Sequence, residues 1–167
     1  MSTQHQTAGH TRGHSCTDVQ LSEESRSMPV FLTLDQLRNS LTQMRAILDP
    51  VFSPDTALGG IGGNVASIGH CAAVAAIVQH TLGGSLVSAL VQGESHWFNR
   101  FQIGSKLVDA DITGDQFGFP TVRLAPMGTL FDGTRERLPT ELSNETVKRS
   151  AVLAQRAGLP MRRPPRK

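Results

Sequence analysis

The chain has only two cysteines, no apolar run of bilayer length and almost no imbalance of charge, and each shortage removes a class of protein. Cys16 and Cys71 fall in segments of very different character. No disulfide framework is therefore expected, which favours a reducing, cytoplasmic setting. Sixteen Lys and Arg against fourteen Asp and Glu leave a formal charge of +2, which makes no case for a nucleic-acid partner. The most apolar stretch, Ala72 to Leu82, is far shorter than the roughly 20 residues a membrane-spanning helix needs, so no membrane partner is expected. No cationic start followed by an apolar run marks a targeting signal. The cluster Gly59-Gly60-Ile61-Gly62-Gly63 lacks a strand before it and a Lys-Ser or Lys-Thr after it, so it is no phosphate loop and no cofactor is expected.

What remains is a chain of 167 residues, 38% hydrophobic, enough for one domain with a core. Residues 1–27 are Ser, Thr, Gln, His and Gly with hardly any large apolar side chain, and are expected to form a disordered, His-rich leader. His5, His10, His14 and Cys16 are metal-ligand types. An unstructured set bears its full ordering cost on binding, so a mobile segment is the stronger expectation. Residues 28–160 are expected to form a single α+β domain, and 161–167 a basic, proline-containing tail. Its Arg162-Arg163-Pro164-Pro165-Arg166-Lys167 suits an acidic or aromatic groove, though a solvated end is the simpler reading.

Within the domain, Leu34, Leu37, Leu41, Met44 and Leu48 recur at helical spacing after Thr33, and Asp49-Pro50 ends the run. Val51 to Ser67 reads as a loop. A second helix is predicted from Cys71 to Leu82, apolar on nearly every face and stopped by Gly83-Gly84. Ser85 to Val91, His96 to Phe101 and Lys106 to Thr113 then read as an antiparallel meander, with turns at Gly93-Glu94-Ser95 and Gln102 to Ser105. A short strand is expected around Val122 to Leu124, and a last helix from Ser143 through Ala157.

The chemistry concentrates in three places. A thiol at the start of a helix sits against unpaired backbone N–H groups and the positive end of the helix dipole, which favour the thiolate. Cys71 holds that position, and His96 and an aspartate follow on the next strands. If the second turn is a hairpin, His96 and Asp111 are close to cross-strand partners, while Asp109 shares the face one pair further along. Taken singly, each residue has a plainer reading: Cys71 as buried core, His96 as a satisfied core histidine, the aspartates as solvent-facing. A zinc site from His70, Cys71, His96 and an aspartate is a weaker alternative, because adjacent His70 and Cys71 point apart on a helix.

Gly69-His70-Cys71-Ala72, Val78-Gln79, Gly83-Gly84, Ser95-His96-Trp97-Phe98-Asn99-Arg100, Asp111-Ile112-Thr113 and Gln116-Phe117 resemble the small bacterial YunG-like proteins. More broadly they are similar to the transglutaminase-like and papain-like thiol enzymes. The likeness covers about Pro54 to Phe117. It implies a papain-like or transglutaminase-like α+β core, with the cysteine helix packed on a small antiparallel sheet. It also implies Cys71 as nucleophile, His96 as base and Asp111 as orienter, the Asp-x-Thr step favouring Asp111 over Asp109. His70 stands where the closest relatives are expected to carry glutamine, which makes it a candidate oxyanion or substrate contact, and Asn64 and Trp97 join it. Asn99 and the Gly59 to Gly63 loop are further candidates for the rim of the cleft. The expected activity is cysteine-dependent acyl transfer on a peptide-like or small amide substrate, of amidohydrolase, peptidase, deamidase or transglutaminase type. A catalytically idle binding module on the same fold is the alternative.

Overall fold

The computed structural model describes residues 29–161. The leader, with its four candidate metal ligands, and residues 162–167 lie outside the described residues. Met161, expected as the first residue of the tail, packs against the main core.

Helix α1 spans Leu34–Leu48 and begins where its sequence provides a reciprocal cap. The Thr33 hydroxyl accepts from the Gln36 N–H, and the Gln36 side chain accepts from the Thr33 N–H. Leu37, Leu41, Met44 and Leu48 form its buried stripe, each leucine contributing about 1.5–3 kcal/mol by burial. Leu34, expected on that stripe, is half-exposed in the first turn, whereas Arg45 is buried. Three short 3-10 turns, Asp49–Val51, Pro54–Thr56 and Leu58–Gly60, carry the chain through the expected loop. Helix α2 spans Cys71–Leu82, and Ala73 through Val78 are all buried.

Strands β1 (Ser85–Val91), β2 (Glu94–Ile103), β3 (Lys106–Asp111), β4 (Arg123–Pro126) and β5 (Arg135–Arg137) form one antiparallel sheet in the order β4-β3-β2-β1-β5. The first hairpin turns at Gln92 and Gly93, with φ of 52° and 86°, the pair of positive values that a two-residue type I′ turn requires. The turn therefore falls before the expected Gly93-Glu94-Ser95, and Ser95 joins the ladder opposite Leu90. β5 has no signal in the sequence: three charged or arginine positions carry no alternation, and only the free edge of β1 makes them a strand. Helix α3 spans Asn144–Arg156, capped by the Ser143 hydroxyl accepting from the Thr146 N–H. No helix among the described residues is long and apolar enough to cross a membrane.

Alternation along β2 divides the described residues into two cores. Phe101 and Ile103, with Val108 and Ala110 of β3, pack against α1, α2 and α3. Phe98, with Val87, Ala89 and Val91 of β1, points the other way, onto Leu130 and Phe131 of the loop that covers the second face. His96, two residues before Phe98, shares this second face.

Candidate active site

Three segments meet at one end of β2. The glycine at 69 lets the chain turn sharply into α2: its φ is +75°, and a side chain there would collide with the Leu58 backbone nitrogen. Arg149 of α3 steadies the turn by donating to the carbonyls of Thr56 and Gly69. Cys71 is then the first residue of α2, half-buried, with a free thiol. His70 supplies no side-chain cap, so the N–H groups of the first helical turn keep no intrahelical partner. The Cys71 sulfur lies 3.9 Å from the Ser95 carbonyl oxygen.

His96 is fully buried, its ring 5.0 Å from Phe117, 5.3 Å from Phe131 and 6.0 Å from Phe98. Its Nε2 lies 3.1 Å from Asp111 Oδ2. That is ion-pair distance, with the ring N–H off the line of a regular hydrogen bond, and neither atom has another partner among the described residues. Burial in this aromatic surround disfavours a charged ring. Asp111, and after it Cys71, outweigh that and push the His96 pKa up to about 9. On the far side of the ring, Nδ1 lies 3.4 Å from the Gln116 amide nitrogen, which donates to the Thr113 carbonyl.

Asp111 is oriented by its own turn. Its Oδ1 accepts from the Thr113 N–H at 2.9 Å, with the Thr113 hydroxyl 3.4 Å away. Since Asn99 faces Ala110, Asp111 is diagonal to His96 across the ladder and on the same face. Asp109, the rival from the sequence, is committed elsewhere: it accepts two bonds from Arg100 and one from the Gly128 N–H. The turn after β3 is tied down by Arg45, which donates to the Ile112 carbonyl and forks onto both oxygens of Asp115. Ser67 also donates to Asp115, joining the loop before α2 to the same anchor. Burial opposes charge on Asp115, yet Arg45 and Ser67 hold its pKa below the usual carboxylate value.

The other predicted contacts fare differently. His70 is buried, with Nδ1 bonded to the Ile68 carbonyl and Nε2 to the Thr56 hydroxyl, both at 2.9 Å. Burial first, with Arg149 adding to it, lowers its pKa. A neutral ring so engaged keeps no free N–H for an oxyanion. Both of its ring nitrogens are used in holding the loop. Asn99, expected at the rim, is buried and donates to the Ala75 carbonyl, fixing β2 to α2. Asn64 is exposed in the loop before α2. Trp97 lies on the opposite face of β2 from His96, with the Arg137 guanidinium 5.5 Å over its ring. Among the described residues no group of three or more His, Cys, Asp or Glu is placed to hold a metal ion. Gln116, Phe117 and Phe131 enclose the imidazole, and nothing in local sequence assigned them that role.

Among the described residues, three helices and a five-stranded antiparallel sheet make an α+β fold in which the start of α2, with Cys71, adjoins the paired His96 and Asp111. The chain belongs to the YunG family: residues 40–157 match the family described as YunG protein, well beyond the 54–117 on which the resemblance rested. No curated protein and no solved structure matches it.

Proposed function

We propose that this chain is a cysteine-dependent acyl-transfer enzyme with Cys71 as nucleophile, His96 as acid and base, and Asp111 as the group that orients His96. The observation that carries the reading is the 3.1 Å pairing of buried His96 with Asp111, together with the influence of Cys71 on the same ring. A histidine pushed up to about 9 holds an imidazolium at neutral pH, the form that can protonate a leaving group. In the first step the Cys71 sulfur bonds to an amide or ester carbonyl carbon. First-turn N–H groups of α2 serve the oxyanion, and the carbon–nitrogen or carbon–oxygen bond breaks as His96 gives its proton to the leaving group. In the second, water or an amine attacks the thioester, its proton passes to His96, and the carbon–sulfur bond breaks.

A cysteine at a helix start followed by histidine and aspartate on successive strands supports a papain-like or transglutaminase-like core, and a half-buried free thiol suits a reducing, cytoplasmic setting. The same fold without turnover, as a binding module, is the second reading, favoured by the contact of the Cys71 sulfur with the Ser95 carbonyl, 3.9 Å away.

The deciding experiment is a panel of amides and esters offered to wild type, Cys71→Ala and His96→Ala, read by intact mass. The expected result is an acyl adduct that needs Cys71 and accumulates without His96. No adduct with any substrate, and equal iodoacetamide labelling of Cys71 with and without His96, would leave the module.

A further inference from the structure

β4 opens with Arg123, directly opposite Asp111 in the ladder, so its side chain leaves the sheet on the face that carries His96 and Asp111. Such a neighbour would ordinarily pair with the aspartate. Arg123 instead forms no ion pair with any carboxylate among the described residues: its guanidinium lies 4.2 Å over the Phe119 ring and 5.2 Å over the Phe131 ring. Its Nη1 is buried and has no hydrogen-bond partner among the described residues. A guanidinium is a planar fork of donors that never loses its charge, and a buried donor without an acceptor is costly to keep. Two aromatic faces hold the fork in place, yet supply no acceptor.

Phe131 relates this cation to the candidate triad. The same ring touches His96, centroids 5.3 Å apart, so the guanidinium carbon and the imidazole centre are separated by no more than about 10.5 Å. That span fits one small substrate with an anionic group a few bonds from its reacting carbonyl.

We propose that Arg123 is the specificity residue of this site and that it binds a carboxylate, so that the preferred substrates are amides carrying a carboxylate a short chain away from the scissile carbonyl. The geometry that suits the role is the two-point match of a guanidinium fork to two carboxylate oxygens. The inference rests on the thiol reading above, since the carboxylate is placed relative to Cys71 and His96.

The test uses iodoacetyl amides of glycine, β-alanine and 4-aminobutyrate, each beside its uncharged N-methylamide, as saturating alkylators of Cys71 followed by intact mass. With wild type, the carboxylate at one spacer length should half-saturate at about tenfold lower concentration than its methylamide, the scale of one charge-assisted fork. In Arg123→Gln that advantage should vanish, and in Arg123→Lys part of it should return. Labelling of Cys71 by wild type without a carboxylate preference at any length overturns this inference alone, with no variant needed. A preference that survives in Arg123→Gln also overturns it. Failure of every reagent to label Cys71 removes the thiol reading, and this inference with it.

Discussion

Replacing Gly114 with alanine places a methyl group 2.5 Å from Asp111 Oδ2, the oxygen that faces His96. Gly114 is absent from the residues with positive φ, so the backbone itself accepts alanine, and only the space taken by the carboxylate demands glycine. Carbon and oxygen do not approach so closely, and the carboxylate must withdraw by roughly 0.5–1 Å. It has little room, because Asp111 is buried and held through Oδ1 by the Thr113 N–H. Overpacking of this kind costs about 1–3 kcal/mol, a fall of about 3–10 °C in Tm for a domain of this size. The sharper consequence is electrostatic. Asp111 is the strongest influence raising the His96 pKa against burial, so a displaced carboxylate should bring that pKa from about 9 towards or below the usual value. Imidazole NMR titration of His96 in wild type and Gly114→Ala measures this directly, with Asp111→Asn expected to act in the same direction. A Gly114→Ala protein whose His96 still titrates near 9 would refute the argument that this carboxylate, in this position, holds the proton on the ring.

Two further outcomes are expected. The folded-state pKa of His96 lies above its unfolded value of 6.5, so its contribution is fully present below pH 6.5 and lost as pH rises through about 9. At 1.36 kcal/mol per pKa unit the loss is about 3 kcal/mol. Urea unfolding across that range should show it in wild type and not in His96→Gln, and parallel pH profiles would count against it. Gly69→Ala combines a φ of +75° with a Cβ 2.9 Å from the Leu58 nitrogen, so it should cost about 2–3 kcal/mol and slow iodoacetamide labelling of Cys71 by moving the start of α2. An unchanged unfolding midpoint would show that the turn relaxes freely.

Local elements were legible wherever a short stretch contained its own instructions. The leucine spacing and the Thr33 cap define α1, the Ala/Val run between His70 and Gly83-Gly84 defines α2, and the positions of Ser143 and Thr146 define the start of α3. β5 was illegible because its pairing depends on the open edge of β1, almost 50 residues away in the chain. The burial of Arg45 was illegible for a similar reason: its acceptors, Ile112 and Asp115, are distant in sequence.

The same division holds at the site. The sequence by itself determined that a cysteine opens an apolar helix, and that a histidine and two aspartates follow on neighbouring strands. These are matters of spacing, and spacing is local. The resemblance already favoured Asp111 over Asp109, but which partner each aspartate meets is a matter of tertiary structure: Arg100 and the Gly128 N–H take Asp109, leaving Asp111 for His96. It also turned His70 into a support of its own loop and left Arg123 stacked on Phe119 and Phe131 with a donor unused. Hydrogen-bonding capacity is limited, and where each donor is finally used depends on contacts between residues far apart in the chain.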